Sequence, residues 1–336
     1  MDATTETVSP KGSARAGRAT RLRSLRGGLL ALALVAALAA AGALLPLDDA
    51  LVVENAIGLA LFALATNLLL GYGGLVSFGQ AAFYGTGAYV VMLGWEHWGW
   101  SFWLGFAVAP LVGALLALAI GLIALRTRQL YFALLTLAFT QLAYVLAQQQ
   151  HEFTGGDNGV FGDVLPAALS DARQGFMFTL GVAAVSGFIL WRVVTSPFGL
   201  ILRATRENRD RMEALGVNVY RHQLIAFMIS GAFCAVAGAL FVVHTKSAYP
   251  QLLEWTKSGE PILMAVIGGM FAFLGPVVGA FAYVLGQQWL VQNTQHWQLV
   301  LGGVLLAVVL IRPDGLAGIA TSRPWRHLHR RTGARR

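Results

Sequence analysis

Residues 67–89 read Asn-Leu-Leu-Leu-Gly-Tyr-Gly-Gly-Leu-Val-Ser-Phe-Gly-Gln-Ala-Ala-Phe-Tyr-Gly-Thr-Gly-Ala-Tyr, so Tyr72, Ser77 and Gln80 place hydroxyl and amide groups inside an apolar stretch. Gly71, Gly73, Gly74 and Gly79 stand among them and free backbone N–H and C=O groups by interrupting a helix. Such groups can line a passage without presenting fixed charge. A bilayer tolerates broken backbone only where protein buries it or a water-filled cavity runs beside it, which makes the segment a candidate wall or gate of a transport pathway. The competing reading is that the small residues only let neighbouring helices approach.

Other chemistry-bearing residues narrow the function. The chain contains no Gly-x-x-x-x-Gly-Lys-Ser/Thr run to cradle nucleotide phosphates, so ATP would have to be hydrolysed by a partner. Glu54, Glu96 and His97 fall near predicted span ends, leaving no mid-span carboxylate or histidine of the kind proton-coupled carriers need. Gly155, Gly156, Asp157 and Asn158, within the loop 154–159, have the composition of a phosphate or cation site. Their predicted outer location suggests instead a tight turn that contacts a binding protein or the pathway entry, or a turn that is purely structural. Cys234 is the single cysteine, which excludes an internal disulfide, and the His327 and His329 pair reads as a solvated or headgroup-facing tail. Neither a metal site nor a cofactor is expected. Trp95, Trp98, Trp100 and Trp103 cluster where indoles anchor a helix end at the membrane interface.

The elements that must position these groups follow from composition. With 57% hydrophobic and 12% charged residues in 336, the chain carries about half the usual charge of a soluble domain and reads as an all-α polytopic membrane protein. A hydrocarbon core of roughly 30 Å takes about 20 helical residues. Apolar runs matching that ruler lie near 27–46, 51–70, 80–95, 101–125, 129–148, 175–194, 222–243 and 297–311. A further stretch, 261–289, is broken near Gly275 and Pro276 and is read as two half-spans that enter and return, giving about eight to ten crossings with broken or re-entrant segments. The first run could be a cleaved signal, but a 26-residue basic leader and the charge of every later loop favour a retained span.

The formal net charge of +8 does not point to nucleic acid once the charges are placed. Six Lys and Arg lie in residues 11–26, two at Arg126 and Arg128, six from Arg192 to Arg221 and seven from Arg312 onward, each group beside an apolar span. The positive-inside rule puts these groups and both termini in the cytoplasm of a bacterial inner-membrane protein. The expected organisation is a basic tail over 1–26, a transmembrane domain over 27–311 and a second basic tail over 312–336.

Residues 67–94 and 264–286 echo each other: Gly73 and Gly74 match Gly268 and Gly269, Gly79 matches Gly275, and Ala88-Tyr89 matches Ala282-Tyr283. Register holds only with a one-residue gap. Two broken elements repeated in this way surround the substrate site in many transporters, although shared composition alone could produce the likeness.

The loop 195–221 reads as an amphipathic helix on the cytoplasmic side. Ile201, Ala204, Asn208, Met212 and Leu215 fall on one face and Gly216 supplies a stop. Arg203 with Glu207, Arg206 with Asp210 and Arg209 with Glu213 form three i,i+4 pairs, each worth only about 0.2–0.5 kcal/mol. The helix suits docking to a peripheral subunit or lying on lipid headgroups.

Four ordered motifs together resemble the LivM-type permease of branched-chain amino acid ABC importers: residues 71–83, 154–159, Arg203 to Asn208 followed by Glu213 to Asn218, and Arg312-Pro313-Asp314-Gly315-Leu316. The resemblance covers roughly residues 50–320 and implies a second permease subunit, two cytoplasmic ATPase subunits and an extracytoplasmic substrate-binding protein. It also implies that the segment Glu213-Ala214-Leu215-Gly216, with Arg203, Glu207 and Asn208 before it, contacts the ATPase. The chain is then a transport subunit and no enzyme, moving a branched-chain or related small amino acid. An ABC permease of the same family for urea or short amides, and an ion-coupled secondary carrier, are the alternatives.

Overall fold

The fold was analysed in a computed structural model, which describes residues 46–127 and 129–294 together with Gly42, His296, Leu299, Val300, Gly302 and Gly303. The expected spans at 27–46 and 297–311 and the two basic tails lie outside, or almost wholly outside, the described residues. Helix α1 covers Leu47–Asn67 and continues as a π-helical turn, Leu68–Gly73. Helices α2 (Gln80–Trp98), α3 (Phe102–Ala124) and α4 (Gln129–Gln149) follow, then a short α5 (His151–Thr154) and strand β1 (Val160–Phe161). Next come α6 (Ala172–Thr195), α7 (Pro197–Glu207), α8 (Arg209–Ala214) and α9 (Val219–Thr245). Strand β2 (Ser247–Ala248), α10 (Trp255–Gly268) and α11 (Gly275–Asn293) complete the described chain.

The protein is an all-α polytopic membrane protein. Among the described residues five helices are long and apolar enough to cross a bilayer: Asp48–Gly73, Phe102–Ala124, Leu130–Gln149, Ala172–Thr195 and Val219–Thr245. Helix α9 is the central post, packed against α1, α2 and α3. Lipid offers no hydrophobic drive between helices, so close backbone approach does the work. A Cβ at Gly87 would overlap the Ala235 carbonyl, one at Gly238 would overlap the Tyr84 carbonyl, and one at Gly113 would sit 2.5 Å from the Ala235 Cβ. By contrast α3, α4 and α6 expose Leu111, Leu115, Leu130, Val185 and Phe188 on their outer faces, as lipid-facing helices do.

The bundle has two chemically different ends. The π-helical turn, the α3 to α4 connection, α7, α8 and the α10 to α11 turn gather at a basic end that carries Arg126, Arg203, Arg206, Arg209 and Arg211. The opposite end carries Glu152, Asp157, Asp163 and Asp171 in the loop after α4, where β1 pairs antiparallel with β2 and Lys246 reaches Asp163 at 2.7 Å. Trp98 and Trp100 pack here as a tilted pair with ring centroids 5.3 Å apart.

Two segments re-enter the bundle from opposite ends. After the π-helical turn, Gly74 adopts φ 67°, and the chain doubles back so that α2 starts inside the bundle. Its first residue, Gln80, lies against Ser230 and Cys234 on the middle turns of α9. From the other end, β2 leads into a 3-10 turn, Pro250–Leu253, which packs on α2 and α4. Helix α10 therefore also starts inside, and the Ser258 hydroxyl accepts from the Ala81 N–H at 2.8 Å and donates to the Phe78 carbonyl at 2.7 Å.

Helix α10 then runs to the basic end, where Gly269 turns the chain at φ 103°, and α11 returns beside it. The break in 261–289 thus lies between Gly269 and Leu274. It precedes Gly275 and Pro276, which open α11, where a proline's missing N–H costs nothing. The expected echo is partly geometric: Gly74 and Gly269 both have positive φ after a helix that ends at the basic end. The re-entrant stretch 74–79 has another counterpart, running in the opposite sense, in residues 249–254.

Candidate gate and coupling site

Around the mid-bundle start of α2 lies a cluster of uncharged polar side chains. Phe78 donates its N–H to Thr136 Oγ1 at 3.2 Å and accepts at its carbonyl from Thr140 Oγ1 at 3.0 Å, both from α4. Ser77 Oγ accepts the Gly79 N–H at 3.1 Å, holding the turn that redirects the chain. Ser230 donates to the Ala65 carbonyl at 2.7 Å, which uses its single proton. The Gln80 amide atom 3.2 Å from that hydroxyl is therefore best assigned as its NH2 group, donating to Ser230. Asn67 Nδ2 donates to the Met270 carbonyl at 3.1 Å and so joins the first break to the tip of the α10 and α11 hairpin.

Tyr72, Gly73, Ser77, Gly79 and Gln80 are all buried among helices, and Gln80 is fully so, whereas Gly74 is exposed. In this conformation Ser77 and Gln80 bond to protein groups and do not face an open channel. Gly268 and Gly275 meet at the hairpin tip, where a Cβ on either would overlap the other's carbonyl or its neighbour's. Gly279 contacts Met264 in the same close manner. Gly269 is the turn residue itself.

The basic end ties a surface helix to both breaks. Arg206 Nη1 donates to the Gly71 carbonyl, and its guanidinium lies 4.5 Å from the Phe271 ring centroid. Arg203 Nη2 donates to the Val194 carbonyl at 2.8 Å while its guanidinium lies 5.0 Å from the Tyr72 ring centroid. The arginine stem also explains Gly74: a Cβ there would come within 2.6 Å of Arg206 Cγ in addition to adopting an unfavourable φ.

The single amphipathic helix expected over this loop is two helices. Asn208, at φ −157°, ends α7 and caps α8 by accepting the Arg211 N–H at 2.8 Å. Asn favours this cap role because its side-chain oxygen satisfies an orphan N–H. The buried face of α7 is Gly199, Leu202 and Thr205, offset from the expected Ile201, Ala204 and Asn208 face, because α7 packs on α6 and the π-helical turn. Of the three anticipated ion pairs only Arg209 with Glu213 forms, at 2.9 Å; the other two arginines are taken by backbone carbonyls. No residue of α8 is buried: Glu213, Ala214 and Leu215 face outward, Leu215 at 72% exposure, with Glu207 and Gly216 also exposed. Gly216 ends the helix at φ 83°. A cleft of about 590 Å3 opens between α8 and the break, bordered by Gly73, Gly74, Arg126, Arg206, Glu213 and Gln223.

At the opposite end, Gly155, Gly156 and Gly159 all adopt positive φ. A Cβ at Gly155 would overlap the Gly159 carbonyl, and one at Gly156 would overlap His151. Asp157, exposed, accepts from Gln148 Nε2 at 2.7 Å, and Asn158 closes the turn beside it, exposed as well. The loop is a tight turn docked against β2.

The expectation of no mid-span carboxylate is corrected at two places: one is Glu260, on α10 near Ser258 and level with the start of α2, and the other is Glu54. It lies in the third turn of α1, is 3% exposed and accepts from Thr179 Oγ1 of α6 at 2.8 Å. The start of α1 lies several residues before Glu54, so the group sits deeper than a count of apolar residues suggests. Sequence reasoning also missed Asn67, Thr136, Thr140, Ser230 and Ser258, and it paired Arg206 with Asp210 where the structure pairs it with the Gly71 carbonyl. Only Arg206 gave a signal, as part of the charged run; isolated Ser and Thr in apolar helices give none, because they usually bond to their own helix backbone.

Residues 50–310 match the family model described as the branched-chain amino acid transport system permease component. The chain is 27% identical over 283 residues to the high-affinity branched-chain amino acid transport system permease protein LivM of Escherichia coli K12, covering 76% of this chain and 67% of that protein. A probable branched-chain amino acid transport permease protein LivM of Methanocaldococcus jannaschii is 24% identical over 188 residues, 54% of each chain. The guanosine ABC transporter permease protein NupQ of Bacillus subtilis is 28% identical over 134 residues, 39% of each chain. No solved structure matches the chain.

Proposed function

Because the chain belongs to the branched-chain amino acid transport system permease family, we propose that it is the membrane-spanning subunit of an ABC importer that carries a branched-chain or related small amino acid inward. The chain has no nucleotide-binding loop of its own, so the energy enters from partners: two cytoplasmic ATPase subunits, with a second permease subunit across the pathway and a binding protein outside. The basic end faces the cytoplasm of a bacterial inner membrane, with both termini on that side, in keeping with the positive-inside rule.

The observation that carries the reading is the bond from Arg206 to the Gly71 carbonyl. It links exposed helices, fit to meet a peripheral subunit, to the break in the first long span. ATP binding at a partner would push α8 and α7, and Arg203 and Arg206 would pass that movement to Tyr72, Gly71 and Phe271. The left-handed turn at Gly74 and the positive-φ turn at Gly269 then act as hinges of the gate, with Gly73, Gly79, Gly268 and Gly275 beside them, and alternating access follows from shifting the two breaks. Ser77 and Gln80 are assigned to holding the closed arrangement, in keeping with their burial.

The test is reconstitution of the permease with its ATPases and binding protein in vesicles, measuring uptake of leucine, isoleucine and valine with and without ATP. ATP-dependent uptake is expected. Uptake by the permease alone on an ion gradient would sink the reading in favour of a secondary carrier, and ATP-dependent uptake of a nucleoside or short amide only would reassign the cargo.

A further inference from the structure

Helix α10 carries an ion pair deep in the bundle. Lys257 Nζ lies 2.7 Å from Glu260 Oε2, with the two side chains 20% and 25% exposed. Between them in sequence, Ser258 is fully buried and bonds to Phe78 and Ala81, which fixes the pair level with the start of α2. The pair is therefore neither at a membrane interface nor sealed in the core. Ionised groups at such depth almost always face a bundle interior or a water-filled cavity.

A structural ion pair would tie two elements together. This one joins positions three apart on a single helix, so it holds nothing in place that the helix does not already hold. The neighbouring face is bare: Thr256 and Leu263 are exposed, and a Cβ at Gly259 would meet nothing within 4 Å. Lys257 Nζ also lies 6.0 Å from the centroid of the Tyr84 ring, on the helix that the first break launches.

We propose that this face of α10 lines the solute pathway and that the pair binds the two charged ends of an amino-acid zwitterion, Lys257 its carboxylate and Glu260 its ammonium. The proposal rests on the amino-acid reading above and deepens it. An empty site closes on itself, each charge neutralising the other. An arriving zwitterion lets both charges exchange partners, so no bare charge is left in a medium of low dielectric. A neutral solute or a singly charged one has no such exchange available.

The test uses the assembled importer in vesicles. Wild-type uptake of leucine, with and without ATP, examines the parent reading by itself. The double variant Lys257→Met with Glu260→Gln keeps the side-chain volumes and leaves no charge unpaired, and such neutral replacement of a buried pair is commonly tolerated. If the pair serves only the fold, uptake stays at the wild-type rate, and that result overturns the proposal. The expected result is a fall of about tenfold or more, the scale of losing a charge-assisted hydrogen bond, with basal ATP hydrolysis and assembly retained.

Should the double variant fail to assemble, Gly259→Cys decides. The introduced thiol is expected to react with a membrane-impermeant cationic methanethiosulfonate, and modification is expected to block uptake. The native Cys234 is fully buried and gives a silent background. An unreactive thiol at position 259 in an assembled, active importer overturns the assignment of this face to the pathway.

Discussion

Arg206 reaches across from α7 to donate a hydrogen bond to the carbonyl of Gly71, and with Arg203 over the Tyr72 ring it joins the exposed basic loop to the interrupted span. The carbonyl is available because Gly71 lies in the last turn of the helix that ends at Gly73, where C=O groups have no intrahelical partner; the N–H groups of Gly74 and Leu75 both go to Leu69. The same guanidinium covers Phe271, so one side chain touches both breaks.

Arg206→Ala should uncouple the machine. Losing a charged hydrogen bond costs about 1.5–3 kcal/mol, and the protein should still reach the membrane. ATP-driven uptake in vesicles is expected to drop while ATP hydrolysis continues. Arg206→Lys should recover only part of the uptake, since an ammonium lacks the planar fork that both bonds the carbonyl and lies over the Phe271 ring.

Gly74 and Gly73 should behave differently although they are adjacent. At Gly74 a side chain meets a left-handed backbone, costing about 1–2 kcal/mol, and collides with the Arg206 stem. A Cβ at Gly73 finds its nearest neighbour at 3.6 Å. Gly74→Leu is expected to abolish uptake at a normal membrane level, and Gly73→Ala to leave it near wild type. Equal behaviour of the two in a side-by-side uptake assay would demote the turn to packing.

Glu213→Lys replaces an exposed partner of Arg209, and exposed pairs of this kind contribute about 0.2–1 kcal/mol. Thermal stability in detergent should barely change. Co-purification with the ATPase subunits, and uptake, are expected to fall; intact coupling would remove α8 from the docking surface.

Gly268→Val tests the hairpin. Its Cβ would overlap the Gly275 carbonyl, so α10 and α11 must separate. Overpacking of this sort costs about 1–3 kcal/mol or more. A lowered melting temperature and reduced membrane yield are expected, in contrast to the uncoupled but stable Arg206→Ala.

The fold class and most helices were legible because a membrane span is written as a run of apolar residues long enough to measure. The two breaks were legible through glycine clusters at 71–79 and 268–279. Depth and direction were not. Glu54 looked peripheral because its distance from the charged flank says nothing of how far α1 extends beyond it. The opposite re-entrant stretch at 249–254 was hidden because it shares no residues with 74–79 and is defined only by where its neighbours pack. In the surface loop, periodicity located a helix but could not foresee that Asn208 would cap a second one or that the arginines would find carbonyls before carboxylates.

The re-entrant segments have a further electrical consequence. Both α2 and α10 begin inside the bundle, within hydrogen-bonding distance of one another through Ser258. A helix start carries roughly +0.5 elementary charge from its aligned peptide dipoles. Glu254 caps the start of α10 and Glu260 lies in its second turn beside Lys257, so carboxylates offset the field of that start, whereas the first turn of α2 holds no acidic residue. The charge left at the centre of the bundle is therefore the positive end of α2, carried on uncharged backbone that no change of pH can switch off.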